Sequence, residues 1–370
     1  MGELSTIDLS YENQLIKKEF FQEFSKLYDS NQLIASPIIA KLQSNIAQYC
    51  GTKYCTMTGS GTMALHVACN ALELKPGDEV VIPANTFVGT AIAVHHTGAK
   101  VLLADVDPDT LNLSAESVER VITPKTKAIC LVHLYGNLVD PQEFARFGLP
   151  LIEDASHAFG GRLNGKHSGN LGEIAGFSAG AIKGFGALGH AGFITYNRDD
   201  YQSYIEAFVS NGQVRRHYAR HMGHNFRIDS ANALFLSEKL ANYAHLIDRR
   251  KKVMDVYNEY FDQQGVKRQR YVAGSDPVLW VYVIRVNASI RGKVMNYLKE
   301  KANINTLVQY KYTINQMPIR KMIAAKPTQS PVATRLTSEI VSLPVHPGIN
   351  PEDAEYICRQ VIKAIKEFSH

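Results

Sequence analysis

Val80-Val81-Ile82-Pro83, then Thr90–His96, then Val101-Leu102-Leu103-Ala104: this run of residues decides the fold. Two short apolar segments flank a stretch with helical spacing. Strands that are apolar throughout are buried on both faces, and strands joined by helices run parallel. The alternation continues outward. Ser114–Ile122 reads as a helix, and Ala128–Val132 and Pro150–Glu153 read as strands. Upstream, Leu15, Ile16, Phe20, Phe21, Phe24 and Leu27 recur at helical spacing within residues 12–30, and residues 36–50 carry a second amphipathic pattern. The expectation is an α/β chain with a mostly parallel central sheet sandwiched by helices. Ligands of such sheets sit beyond the carboxyl ends of the strands.

Near residue 230 the pattern changes. Ser230–Tyr257 reads as one long helix, Val278–Val286 as a strand, and Arg291–Lys301 as a helix. A strand near Ile304–Gln309 and a helix over Pro351–Phe368 follow. Without strict alternation this is a smaller α+β unit, so residues 1–250 are expected to form a large domain and 251–370 a small one.

Composition narrows the function classes. With 370 residues and 45% hydrophobic residues, the chain is of ordinary globular make-up, which excludes disordered and repetitive classes. The 40 Lys and Arg against 35 Asp and Glu give +5, a small scattered excess that suits anionic small ligands and does not point to nucleic acid. Five cysteines without paired spacing predict neither a zinc framework nor disulfides, and a cytoplasmic home. The polar start MGELSTIDLSYENQ is unlike a signal peptide. No uncharged apolar run approaches the roughly 18–20 residues of a membrane span.

Three motifs carry chemistry. Thr58-Gly59-Ser60-Gly61-Thr62 turns a short strand into a helix, where free N–H groups and the helix dipole attract phosphate; read alone, it is equally a capped tight turn. Ile152-Glu153-Asp154-Ala155-Ser156-His157 ends an apolar strand with two acids, suited to a cationic ring nitrogen or to capping the next segment. Lys183 is the one Lys or Arg between Leu171 and Gly192. A lysine in such an apolar, Gly-rich setting has a lowered pKa and can act as a nucleophile, although a surface lysine fits the same pattern. Gly184-x-Gly186-x-x-Gly189 matches a dinucleotide fingerprint, but that needs a helix next, and Phe193–Tyr196 reads as a strand. An NAD-dependent oxidoreductase is therefore set aside. His217 and His221 are spaced to share a metal, yet Arg215, Arg216 and Arg220 surround them; a cationic segment is the better reading, and no metal is expected.

Taken in order, these motifs resemble the DegT/DnrJ/EryC1/StrS sugar aminotransferases, vitamin B6-dependent enzymes of fold type I, from about Gln32 to Ile365. The turn Ser60-Gly61-Thr62, Ile82–Phe87, His133-Leu134-Tyr135-Gly136, Glu153-Asp154-Ala155, the Ser178-to-Lys183 spacing and Gly223–Arg227 carry the likeness. The resemblance implies pyridoxal 5′-phosphate as cofactor, bound covalently by Lys183, with Asp154 on the pyridinium nitrogen and Phe87 on one ring face. Ser60, Gly61, Thr62 and Ser178 would take the phosphate, joined by Asn225 of a neighbouring subunit in a homodimer with shared sites. His157 stands where the family usually has Gln, beside the ring hydroxyl. Tyr135, His190, His224, Arg227, Tyr310 and Lys311 are candidate substrate residues.

The implied reaction moves an amino group from an amino acid, glutamate or glutamine, to an anionic keto sugar. Departures at Ser178–Ile182, His190-Ala191-Gly192 and Tyr310-Lys311-Tyr312 leave nucleotide-linked, phosphorylated and cyclitol-type acceptors open. A catalytically silent member is disfavoured by the intact Lys183 and Asp154.

Overall fold

In the computed structural model, which describes residues 2–369, the Val80–Ala104 run forms the expected strand–helix–strand unit. Helices α1 (Ser10–Asp29) and α2 (Pro37–Cys50) lead into β1 (Tyr54–Thr58) and α3 (Gly61–Ala71). Then come β2 (Glu79–Pro83), α4 (Val88–His95), β3 (Lys100–Ala104), α5 (Ala115–Val121), β4 (Thr126–Val132) and β5 (Leu151–Asp154). A small hairpin of β6 (Arg162–Leu163) and β7 (Lys166–His167) precedes β8 (Ile174–Ser178) and β9 (Gly192–Tyr196).

Seven strands form the main sheet in the order β1-β9-β8-β5-β4-β2-β3. All run parallel except β9, which is antiparallel to both neighbours. Val80, Val81, Ile82, Leu102, Leu103 and Ile129 are fully buried, as strands covered on both faces must be. Each such side chain contributes about 1.5–3 kcal/mol on leaving water. The reversal at β9 has a positional effect. Ser178 pairs with Gly192, so the loop between β8 and β9 stays at the carboxyl edge of the parallel strands. That loop carries Lys183.

After α6 (Asp199–Phe208), the strands β10 (Gln213–Arg215) and β11 (Tyr218–Ala219) form a small hairpin. The expected single helix over Ser230–Tyr257 is two, α7 (Ser230–Ala241) and α8 (Tyr243–Gln263), broken where Asn242 leaves helical geometry at φ −105° and ψ 4°. β12 (Ser275–Asp276) extends the β6–β7 hairpin. β13 (Tyr282–Arg285) is shorter than the expected Val278–Val286 strand. α9 (Ala288–Ala302), α10 (Arg320–Ile323) and α11 (Pro331–Glu339) come next. Then β14 (Ile340–Leu343) pairs antiparallel with β13, and α12 (Pro351–Phe368) ends the chain.

Ile304–Gln309 forms no strand; Ile304 bridges to Leu4 and Leu307 to Ser342 as single contacts. Residue 250 falls inside α8, which reaches from the main sheet's layer into the C-terminal core, and Leu4 packs in that second core as well. Among the described residues no helix is long and apolar enough to cross a membrane.

A buried ion pair ties the N-terminal helix to the lysine loop. Lys239 of α7 lies 3.1 Å from Glu12 of α1 and donates to the Gly186 carbonyl across 3.0 Å. Removing one member of such a pair costs about 3–5 kcal/mol, because the other charge stays buried.

Candidate active site

The lysine loop, the end of β5 and the start of α3 meet around a cavity of about 580 Å³ at the carboxyl edge of the sheet. Asp154 ends β5. Its Oδ2 accepts from the Thr90 hydroxyl across 2.7 Å, and Oδ1 accepts from the Ser156 N–H across 3.2 Å. Thr90 is itself 3.0 Å from the hydroxyl of Thr86. Asp154 is buried and belongs to no ion pair among the described residues. A carboxylate in that position is costly until a cation joins it.

Glu153 shows why two adjacent acids have two fates. Strand alternation sends it to the opposite face of the sheet. There it accepts from Gly169, Leu171 and Gly172 N–H groups at 2.7–2.8 Å and from Nε2 of His133 at 2.9 Å. The Val139 N–H donates to Nδ1 of His133, so the His133 proton sits on Nε2, aimed at Glu153. Glu153 builds the scaffold; Asp154 faces the cavity.

The turn after β1 forms an anion cradle. Ser60 caps α3 by accepting from the Met63 N–H at 3.3 Å, which leaves the first-turn amides of Gly61 and Thr62 without intrahelical acceptors. A Cβ on Gly61 would lie 2.6 Å from Cβ of Ser178, so only glycine lets the helix end close on the end of β8. Ser60, Gly61, Thr62 and Ser178 all line the cavity. Amides, hydroxyls and a helix N-terminus at one point fit a phosphate group.

Lys183 enters from the loop. The loop is held by the bonds Ala181 N–H to Gly189 O and Ala187 N–H to Ala179 O, and by the Trp280 indole N–H donating to Ile182 O across 2.6 Å. Nζ of Lys183 lies 2.7 Å from Nε2 of His157 and 4.3 Å from the centre of the Trp280 ring. Burial pulls its pKa down to about 8, while the Asp154 charge works in the other direction. After Gly184-x-Gly186-x-x-Gly189 the chain enters β9 and no helix, so the glycines serve the loop, and a dinucleotide fingerprint is absent.

Phe87, His157, His190 and Tyr310 line the same cavity; Phe87 is 57% exposed toward it. Other expected residues are placed elsewhere. The Tyr135 side chain is fully buried behind Tyr310, ring centres 6.4 Å apart, so it does not reach the cavity and only its backbone N–H serves His157. Lys311 is exposed and outside the cavity lining. His224, Asn225 and Arg227 are likewise exposed and outside it. Their segment runs along the outside of the phosphate turn, where Phe226 O accepts from Gly59 N–H, His224 stacks on Phe226, and Arg227 donates to Asn225. Lys183 is the only Lys or Arg among the residues that line the cavity.

Sequence reading missed Thr90 and Trp280. Thr90 sits in a helix that looked purely apolar, and Trp280 arrives from a distant segment; its being the lone tryptophan was the one available signal.

Residues 14–362 match the model of the DegT/DnrJ/EryC1/StrS aminotransferase family. The UDP-2-acetamido-2-deoxy-3-oxo-D-glucuronate aminotransferase of Pseudomonas aeruginosa is 33% identical over 356 residues, covering 95% of this chain and 98% of its own. A pleiotropic regulatory protein of Geobacillus stearothermophilus is 32% identical, covering 98% and 99%. The solved structure of DesV from S. venezuelae superposes with a TM-score of 0.91 at 26% identity, covering 100% of this chain and 99% of that one.

Proposed function

The chain belongs to the DegT/DnrJ/EryC1/StrS aminotransferase family, and from that membership we propose that it aminates a nucleotide-linked keto sugar with nitrogen from glutamate or glutamine. The observation that carries the reading is the convergence of Lys183, with its lowered pKa, and the cation-free carboxylate of Asp154 on one cavity that also holds an anion cradle. The substrate named for the Pseudomonas relative, a UDP-linked keto sugar acid, supports the acceptor class.

Pyridoxal 5′-phosphate is the cofactor of this family, and when bound it supplies an electron sink for the carbon that loses a proton. The residues fit it. Gly61, Thr62 and Ser178 would take its phosphate, Asp154 its ring nitrogen, and Phe87 one face of its ring. Thr90 and Ser156 orient the Asp154 carboxylate by donating to its two oxygens. Lys183 would hold the cofactor at rest and carry a proton when released. The regulatory name of the Geobacillus relative does not displace this reading, because a silent protein has no use for a buried lysine that enters the same cavity as Asp154 and the phosphate turn.

The cavity of one chain offers no arginine to a diphosphate. We infer that a second copy supplies it, in a homodimer where Asn225, Arg227 and the exposed β10–β11 hairpin with Arg215 and Arg216 reach the neighbour's site. Five unpaired, buried cysteines suit a cytoplasmic enzyme.

The test is spectroscopic. Glutamate and glutamine are added in turn to the purified yellow protein, followed by a nucleotide-linked 3-keto sugar. Bleaching by one donor and recovery on adding the keto sugar is the expected result. A protein that no amino acid bleaches would refute the reading.

A further inference from the structure

Two rings that pack on each other, centres 4.4 Å apart, make opposite demands on the Lys183 amine. Nε2 of His157 is 2.7 Å from Nζ, and the Trp280 ring centre is 4.3 Å from it. The backbone N–H of Tyr135 donates to Nδ1 of His157 across 3.2 Å. A nitrogen that accepts a hydrogen bond carries no proton, so the neutral ring has its proton on Nε2. That N–H points at Lys183. An ammonium offers only donors, whereas the unprotonated amine has a lone pair to accept with. The doubly protonated ring is disfavoured, since burial and the Lys183 charge push the His157 pKa well below the usual value.

The backbone builds this lock. Tyr135 adopts φ 63° and Gly136 φ 101°. A Cβ on Gly136 would come 2.3 Å from Val278 O and 3.0 Å from His157 O, so the glycine allows the approach. A left-handed tyrosine is strained, so the surrounding structure must hold it there. Trp280 is fixed as firmly: its indole N–H is bound to Ile182 O and its backbone N–H to Tyr135 O at 2.8 Å. Its ring face attracts an ammonium. Two further groups bear on the lysine. The Tyr310 hydroxyl, 3.3 Å from Nε2 of His157, competes for the same proton at longer range, and the Asp154 carboxylate favours the charged amine.

We propose that His157, locked as its Nε2–H tautomer by the Tyr135 amide, is a hydrogen-bond donor that stabilises the unprotonated Lys183 amine, and that the Trp280 face is the counterweight that stabilises the ammonium. The proposal rests on the reading of Lys183 as the cofactor lysine, which must attack as an amine and also carry a proton. Balanced environments keep both forms within reach.

Cofactor-free protein tests the lock directly. Nitrogen-15 imidazole NMR, with the His157 signals assigned by their loss in His157→Gln, is expected to show an unprotonated Nδ1 and a protonated Nε2. Trace acylation with peptide mapping then reads the titration of Lys183 across pH, with a wild-type midpoint at about 8. His157→Gln, whose amide is free to turn its oxygen toward an ammonium, is expected to raise the midpoint by roughly half a unit to one unit. Trp280→Leu is expected to lower it by a similar amount. A protonated Nδ1, or a midpoint in His157→Gln that stays or falls, overturns the donor role. An unmoved midpoint in Trp280→Leu overturns the counterweight. Should His157→Gln not fold, His157→Asn gives both the assignment and the midpoint; should Trp280→Leu not fold, Trp280→Phe, whose ring face attracts a cation less strongly, is expected to lower the midpoint by a smaller amount, and no shift overturns the counterweight. Borohydride reduction of the holoenzyme, mapped by peptide, judges the parent reading separately: a label on another lysine removes the cofactor role and leaves the tautomer result standing.

Discussion

The Thr90 hydroxyl, in the first turn of α4, donates to Oδ2 of Asp154 at the end of β5, across 2.7 Å and two strands' width of sheet. One hydrogen bond thus links a helix that carries no charge in its own turn to the carboxylate proposed to meet the cofactor's ring nitrogen.

Thr90→Val removes that bond while keeping the shape of the side chain. Bonds to charged groups contribute about 1.5–3 kcal/mol, so a loss of roughly tenfold or more in kcat is expected, with the cofactor still bound. Steady-state kinetics with a fixed donor checks it. An unchanged kcat would show that Asp154 needs no such partner.

Gly61→Ala places a methyl group 2.6 Å from Cβ of Ser178. Either the helix end or the end of β8 must retreat, and the cradle opens. Cofactor affinity should drop at least about tenfold, while circular dichroism stays as in the wild type. Titration of the cofactor-free variant reads the affinity. Native affinity would mean the phosphate is held elsewhere.

Lys183→Met probes the cost of the buried amine by its pH dependence. In the folded, cofactor-free protein the lysine holds its proton only up to about pH 8, against 10.5 for an ordinary lysine. Between those values the unfolded chain binds more protons, so the wild-type lysine's contribution to stability improves as pH rises from 8 to 10.5. Below pH 8 the lysine is a liability, and the variant should gain on the order of 3 kcal/mol at pH 7. The gain should shrink toward zero by about pH 10.5. Denaturant melts at both ends of that range measure it, and a pH-independent difference would contradict the lowered pKa.

Mixing Lys183→Ala and Asn225→Ala subunits examines the shared site. If each Asn225 serves the neighbour's phosphate, one site of every mixed dimer contains both defects and the other contains neither. Activity should recover to about a quarter of the wild-type level after random reassortment, one half of the molecules having one native site. No recovery would place Asn225 and Lys183 in the same chain's site.

The main sheet was legible because buried parallel strands leave an apolar signature that little else produces, and the positions of Lys183, Asp154, Ser60, Gly61 and Ser178 follow from strand ends. The substrate side was less legible. From the sequence Tyr135 offers its side chain, but its left-handed backbone turns the ring into the core and the amide toward His157. Such a reversal depends on one dihedral angle and leaves no composition signal. The break at Asn242 was hidden because neither Gly nor Pro marks it. Ile304–Gln309 has the residues of a strand, yet its neighbours are held by single bridges only. Lys311 and Arg227 carry the right charge, but charge does not tell which surface a residue faces.

The lone tryptophan has a practical corollary. Trp280 is 4% exposed, stacks near His157 and sits over Lys183. All indole emission from this protein therefore originates within contact distance of the reactive amine. Intrinsic fluorescence is a label-free optical gauge of that one spot, and each loading, charging or emptying of the lysine's surroundings should register in its intensity with no tryptophan background from the rest of the chain.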